Sequence, residues 1–331
     1  MRNRRIIGSG PSYYHCVSRI IERKFILGEA EKAYFMDTLR RLERFSGVRV
    51  LTHCLMDNHF HLLLMVEDQP KSLSEKEILR RVGALYGEEK AAEIAQRFKQ
   101  ARQEGSPARL DQEKQAFLDR MHDLSVFMKE LKQRFTQWHN RRNDRRGPLW
   151  EDRFKSLLVE GSHQALLTVA SYIALNPVRA GICHDPKDFR WCGYGAATGG
   201  CPDARNGIRQ ALSGFQQPGD WASAAPRYRR LLFGAGSANS IQKGFDPAQV
   251  RKVLEEDGKL GRSELLRCRI RYFTYGLALG SKIFIEDVFD RHRDHFGQKR
   301  TQGCRRMKGG DWGGDLFTMR DLRQEAISVH G

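Results

Sequence analysis

His59 and His61 stand two residues apart at the head of an apolar run, DNHFHLLLMV. In a strand, residues i and i+2 point to one face. Both imidazoles then lie side by side, while Phe60, Leu62 and Leu64 turn to a core on the other face. Two imidazoles on a rigid strand are half of a metal site, because neutral imidazole binds divalent transition metals well. The other half of the chemistry sits far along the chain, in SYIALNP. Tyr172 and Asn176 are four apart, so a helix presents them on one face. A phenol and an amide oxygen beside two imidazoles suit phosphoryl transfer. Two nitrogens and one oxygen leave positions on a divalent cation for phosphate oxygens, and Tyr172 supplies the nucleophile. A free tyrosine titrates near ~10, so the cation must share in the activation.

Each of these residues alone has a plainer reading. His-x-His occurs on purely structural strands, and Tyr172 suits the buried stripe of a helix. Asn176 before Pro177 suits a helix end. His15 and His53 also fall in strand-like segments and read as ordinary sheet residues, with contact to DNA or the metal shell as the alternative.

The elements that must position this chemistry follow from periodicity. Residues 12–20 (SYYHCVSRI) and 48–66 (VRVLTHCLMDNHFHLLLMV) are rich in β-branched and aromatic residues with partial alternation, which predicts strands. Between them, residues 29–46 carry apolar side chains at helical spacing, and Gly47 ends the helix. Residues 69–137 are charged and helical, broken at GSPARL. A basic loop follows at 140–147 (NRRNDRRG), then a strand in RFKSLLVE. The next helix, SHQALLTVASYIALN, has Ser162 as its N-cap and cannot continue through Asn176-Pro177. Beyond about residue 200 the chain turns glycine-rich and then helical over roughly 221–331. There Gly280 and Ser281 separate two segments that suit a helix-turn-helix or, equally, plain helical packing against the preceding domain.

The 331 residues exceed one ordinary core, and 40 % hydrophobic content is ample for globular packing. Lys and Arg outnumber Asp and Glu, 57 to 40, a net charge of +17 that points to a polyanionic partner. No run of 18 apolar residues exists, so no membrane span is expected, and the basic N-terminus lacks the apolar core of a secretory signal. Seven cysteines without a C-x-x-C pair argue for reduced thiols in a cytoplasm, against a disulfide framework or zinc ribbon.

At this point three blocks carry a resemblance: CLMDNHFHLLL, GPLWEDRFKSLLVE and YIALNPVRAGI. In this order they resemble the signature blocks of single-tyrosine HUH transposases, most of all the branch associated with repetitive extragenic palindromes. SYYHCVSRIIERKFIL is similar to that family's first strand and turn. The resemblance covers about residues 10–195 and implies an α+β fold, a ferredoxin-like antiparallel sheet with helices. On this view residues 1–200 form the HUH endonuclease domain, with a helical insertion at about 69–120 acting as a lid, dimer surface or DNA clamp. Residues 201–331 form a helical, basic C-terminal region. The resemblance implies His59, His61 and Asn176 as metal ligands, Tyr172 as nucleophile, and Mg²⁺ or Mn²⁺ as cofactor; the residues alone also allow Zn²⁺. It further implies cleavage of single-stranded or hairpin DNA through a 5′-phosphotyrosine, in a bacterial cytoplasm.

Backbone contacts to DNA are expected from Arg141, Arg142, Arg145 and Arg146 in the basic loop, and from Arg153 and Lys155 alternating along the strand that follows. Arg179 either binds phosphate or caps the tyrosine helix. Trp138, Trp150 and Phe154 suit base stacking or, more simply, core packing. Two other functions fit the same residues: hairpin recognition without cleavage, and a metal-dependent phosphodiesterase in which water attacks. Monomer and homodimer both stay open, since the tyrosine helix can serve its own histidines or a partner's.

Overall fold

The computed structural model describes residues 6–8, 10–70, 72–213, 219–233, 271–274, 276–307 and 316–320. The first segment runs β1 (Ser12–Arg19), α1 (Glu29–Ser46), β2 (Val48–Leu55) and β3 (His59–Val66). Helix α1 buries Phe35, Leu39, Leu42 and Phe45, a 3–4 spacing that lays one stripe on the sheet. It stops at Gly47, whose φ of +74° is the left-handed conformation that glycine adopts without a Cβ penalty.

Four more helices follow: α2 (Glu75–Tyr86), α3 (Glu88–Gln103), α4 (Pro107–Leu118) and α5 (Leu124–Arg142). Strand β4 (Lys155–Val159) then returns to the sheet. The strand order β2-β3-β1-β4, antiparallel throughout, with α1 and α5 packed together on one face, is the split βαβ arrangement of a ferredoxin-like fold. The fold class is thus α+β, as expected.

The insertion packs behind this unit. Ile78, Val82, Ile94 and Phe98 of α2 and α3 join the same core as Phe35 of α1 and as Phe60, Leu62 and Leu64 of β3. That is the sheet face opposite to His59 and His61, so these helices are no lid over the histidines. The histidine face is covered by α6 (His163–Ala174), the short α7 (Asn176–Arg179), α8 (Gly193–Thr198), α9 (Pro202–Ser213) and α10 (Trp221–Phe233).

The C-terminal region departs from the helical expectation. After a short α11 (Arg271–Thr274), residues 276–280 form β5 (Gly276–Gly280), which pairs parallel with β4. Helix α12 (Lys282–Arg291) follows, then β6 (Arg305–Arg306) and β7 (Phe317–Arg320), so that the described residues form a seven-stranded sheet. Ala278 and Leu279 are both fully buried, one in each core. A strand covered on both faces is a short apolar run without alternation, which periodicity alone does not separate from a helix. Gly280-Ser281 therefore divides a strand from a helix, with the Ser281 hydroxyl accepting from the Phe284 N–H, and no helix-turn-helix forms there. The helical reading of 234–270 and the segments 308–315 and 321–331 lie outside the described residues. Among the described residues no helix is long and apolar enough to cross a membrane, and no disulfide joins the six described cysteines.

Two positions test this packing. Helix α9 meets β2 at Gly207, where a Cβ would lie 2.4 Å from the Leu51 carbonyl oxygen and 2.6 Å from that of Val50. Backbone cannot yield as a flexible side chain can, so Gly207→Ala is expected to cost about 1–3 kcal/mol. Urea unfolding checks this, and a change inside about 0.5 kcal/mol would show that α9 stands off freely.

His53 of β2 is buried, and its Nδ1 has no hydrogen-bond partner. Burial, aided by the Arg40 charge, lowers its pKa from 6.5 to about 3. The unfolded chain therefore takes up this proton more readily than the folded one. The stability linked to His53 is complete above about pH 6.5 and falls as pH drops toward 3. His53→Leu is expected to shave about 1.4 kcal/mol per pH unit from the acid slope of stability in that window. Guanidinium unfolding from pH 7 to 4 measures it, and parallel slopes for variant and wild type would refute it.

Candidate active site

The sheet brings the histidines to one face by register. On β3 the residues paired across to β1 are His59 with Arg19, His61 with Val17, and Leu63 with His15. Directly paired residues share a face, so His59, His61 and His15 all stand on the side covered by α6. Phe60, Leu62 and Leu64 enter the opposite core, as the alternation requires. The β2–β3 turn that starts β3 is tied down at Asp57, whose carboxylate accepts from the nearly buried Lys32 ammonium at 2.6 Å, while its carbonyl accepts from the Leu27 N–H.

Both rings are oriented through Nδ1. His59 Nδ1 lies 2.6 Å from Asn58 Oδ1, and Asn58 in turn donates its Nδ2 to the Arg23 carbonyl. His61 Nδ1 lies 2.9 Å from His15 Nε2, and His15 Nδ1 lies 3.0 Å from the Phe273 carbonyl oxygen. In each of His59 and His61, Nε2 is the ring nitrogen left over. Burial, reinforced by the Arg19 charge, lowers the His59 pKa to about 4. Burial followed by the His15 and His59 neighbours pushes His61 well below its ordinary value, and burial takes His15 to about 3. All three are neutral near pH 7, the form in which imidazole coordinates a metal.

Helix α6 supplies Tyr172 to the same place. Its ring centroid lies 5.7 Å from that of His61 and 5.8 Å from that of His15. The tyrosine thus stands beside the histidines of its own chain. Its ring stacks on Phe273 at 4.1 Å and carries the Arg179 guanidinium 4.0 Å from its centroid, leaving 5 % of the residue exposed. Arg179 also donates to the Tyr172 carbonyl at 2.7 Å, so it caps the end of α6.

Asn176 gives its Nδ2 to the carbonyls of Tyr172 and Ile173, which leaves Oδ1 as its donor atom for a cation. Helix α6 ends at Ala174, but Asn176 does not leave helical backbone: after Leu175 the chain enters α7, with Pro177 in its first turn, where a missing N–H costs no helical hydrogen bond. Ser162 occupies its N-cap position, yet its hydroxyl donates to Glu160 instead of capping.

By donor chemistry, two imidazole nitrogens and one amide oxygen are of the kinds that a divalent cation accepts. Among the described residues no group of three or more His, Cys, Asp or Glu side chains is arranged to hold a metal ion.

The basic loop docks at the same end of the sheet. Trp150 bridges Ile20, Ile21 donates to the Leu149 carbonyl, and Glu151 donates to that of Arg19, the partner of His59. Arg141, Arg142 and Arg146 are exposed. Arg145 instead braces its own turn, donating to Asn140 Oδ1 and the Pro148 carbonyl. Arg153 precedes β4, which begins at Lys155, so the two do not alternate along one strand. Lys155 pairs with Val17 and so shares the face of His61. Trp150 is core, its indole N–H given to Thr136 and Lys132, and Trp138 stacks on Tyr34 at 4.2 Å.

No family model matches the chain, and none of the curated proteins does. Among solved structures it is similar to a REP-associated tyrosine transposase bound to a REP hairpin. The TM-score is 0.38 at 13 % identity, over 62 % of this chain and 90 % of that one. A likeness this distant carries no weight on function, which has to be argued from the residues.

Three residues of the site escaped the sequence reading. His15 had a weak signal, as a histidine in the strand expected to neighbour His61. Asn58 was within the quoted motif but had no assigned role. Phe273 had none, because nothing local marks a residue that meets the site through its backbone carbonyl and ring. At the rim, Phe25 is 80 % exposed in a turn where Glu22 and Arg23 both have positive φ. That costly backbone conformation is fastened to Asn58 through the Arg23 carbonyl.

Proposed function

We propose that the protein is a metal-dependent single-stranded DNA endonuclease and strand transferase, with Tyr172 as nucleophile and hairpin or palindromic DNA as substrate. The observation that carries this reading is that, within one chain, the Tyr172 ring lies 5.7 Å from that of His61, which itself lies 5.0 Å from that of His59. In the reaction the Tyr172 oxygen bonds to phosphorus and the bond from phosphorus to O3′ breaks. The phenol gives up its proton and the departing O3′ takes one. One phosphodiester is exchanged for a 5′-phosphotyrosine, so a 3′-OH can reverse the step without another energy source.

His59 and His61, with Asn176 Oδ1 as third donor, would hold Mn²⁺ or Mg²⁺; two imidazoles suit Mn²⁺ better than the oxygen-seeking Mg²⁺. When bound, such a cation polarises the scissile phosphate as a Lewis acid. The chain itself does the positioning. Asn58 and His15 hold the two rings, Arg179 and Phe273 hold the Tyr172 ring, and α6 sets its height over the sheet. Arg19 and Lys155, on the same sheet face, favour an anionic substrate there. Phe25, exposed directly after Arg23 and Lys24, is suited to stack on an unpaired base.

The basic loop grips the backbone in this reading through Arg141, Arg142 and Arg146. Replacing Arg141 and Arg146 together by Ala is expected to weaken hairpin binding and to shrink the slope of log K against log salt by about 1.5. Arg145→Ala is expected to spare that slope and to cost about 1 kcal/mol of stability, through its two lost turn hydrogen bonds. Fluorescence anisotropy over a salt series separates the two, and an unchanged slope in the double variant would remove the loop from the interface.

The deciding experiment for the whole reading is a denaturing gel of protein incubated with end-labelled hairpin DNA and Mn²⁺ or Mg²⁺. A protein–DNA band that survives SDS supports it. One observation favours a second reading, hairpin recognition without cleavage: Tyr172 is nearly buried and stacked. Tight binding with no adduct, across a library of hairpins and both metals, would select that reading.

A further inference from the structure

We propose that His15 is a positioning residue that fixes the tautomer of His61, so that His61 presents Nε2 to a metal. The inference rests on the metal site of the proposed function, and deepens it.

The direction of the chain follows from one end. A carbonyl oxygen only accepts, so the His15 Nδ1 that lies 3.0 Å from the Phe273 oxygen must carry a hydrogen. The reverse arrangement would set two lone pairs against each other at that distance. His15 is 1 % exposed, and its hydrogen-bond partners are a backbone carbonyl and a second imidazole, so an imidazolium there would be a buried charge with no carboxylate to pair with. A neutral His15 with its hydrogen on Nδ1 has a lone pair on Nε2. That lone pair, 2.9 Å from His61 Nδ1, can only accept. His61 therefore carries its hydrogen on Nδ1, and the lone pair of His61 sits on Nε2.

The two rings lie nearly parallel, 17° apart with centroids at 5.2 Å, so the contact also fixes the plane of His61. His59 reaches the same tautomer by a different partner, since Asn58 gives its Nδ2 to Arg23 and so turns Oδ1 toward His59 Nδ1. The two imidazoles then offer Nε2 atoms in matched state. His15 has both nitrogens occupied and stands behind His61 as its support, in keeping with the absence of a three-histidine metal cluster among the described residues. The anchor of this relay is Phe273, which makes the C-terminal region part of the proposed metal site.

Outer partners of metal-binding histidines typically govern affinity by about 10- to 100-fold. Full-length His15→Leu is expected to lose Mn²⁺ affinity by that factor, read by electron paramagnetic resonance titration of free Mn²⁺. His15→Gln is expected to recover most of it, because its amide can accept from His61 Nδ1 and donate to Phe273. Circular dichroism melts identify a variant that fails by unfolding. A second readout needs no metal and no variant: ¹⁵N-detected NMR of metal-free wild type should find His61 as the Nδ1–H tautomer.

Finding His61 as the Nε2–H tautomer would overturn the proposal, as would a folded His15→Leu that binds Mn²⁺ like wild type. If wild type binds no Mn²⁺, the metal reading fails, and His15 as its positioning residue fails with it. The Nδ1–H signal would in that case still establish the relay, so the two failures are told apart.

Discussion

Replacing Tyr172 by Phe is expected to abolish the SDS-stable protein–DNA adduct and to lower strand cleavage by at least about 1,000-fold, the scale on which a missing nucleophile is felt. The substitution removes one oxygen and keeps the ring. The stack on Phe273, the Arg179 guanidinium over the ring, and the burial within the α6 core all survive. Hairpin binding and melting temperature should accordingly stay close to wild type. That separation gives the experiment its force, because a structural tyrosine would leave cleavage intact. Cleavage that persists without an adduct would transfer the attack to water and make the protein a phosphodiesterase. Labelled hairpin DNA on a denaturing gel, beside an anisotropy titration, reads both quantities.

The second large effect is expected at the histidine pair. His59→Ala and His61→Ala each remove one of only two imidazole donors, so Mn²⁺ affinity should fall by more than about 100-fold, beyond the loss expected for a supporting residue. Adduct formation should vanish in both, and wild type treated with EDTA should lose it until Mn²⁺ is restored. The two variants should differ in stability. His61 is 2 % exposed and its loss strands the His15 nitrogen in the core, whereas His59 is only half-buried at the rim of the sheet. His61→Ala should therefore melt lower than His59→Ala by roughly 1–3 kcal/mol of unfolding free energy. An adduct that forms unimpaired in EDTA would remove the metal from the proposal, leaving the histidines as structural residues.

Local pattern made much of the fold legible. Helix α1 follows from apolar spacing and the glycine that ends it, and β3 follows from the alternation that sends Phe60, Leu62 and Leu64 one way and the histidines the other. The break between α6 and α7 follows from Pro177, whose missing N–H interrupts the helical ladder. Each is a short-range matter of φ/ψ preference and side-chain period, which the chain carries in a few neighbouring residues. The basic loop was equally legible as a loop, but the role of each arginine in it was not. Arg141 and Arg145 look alike in sequence, and only the turn geometry turns Arg145 inward to Asn140 and Pro148.

What the sequence by itself determined is the type of chemistry available: two histidines on one face of a strand, and a tyrosine four residues before an asparagine on a helix. The tertiary structure decided that these two groups meet, and that they do so on the face away from the inserted helices. It also decided that β5 is a strand, since pairing with β4 and burial on both faces outweigh an ambiguous apolar run. It placed Phe273 of the C-terminal region, distant in sequence, against both His15 and Tyr172. Periodicity reports which face a residue takes. It is silent on which backbone carbonyl will lie opposite a ring nitrogen, because that pairing is fixed by packing between elements far apart in the chain.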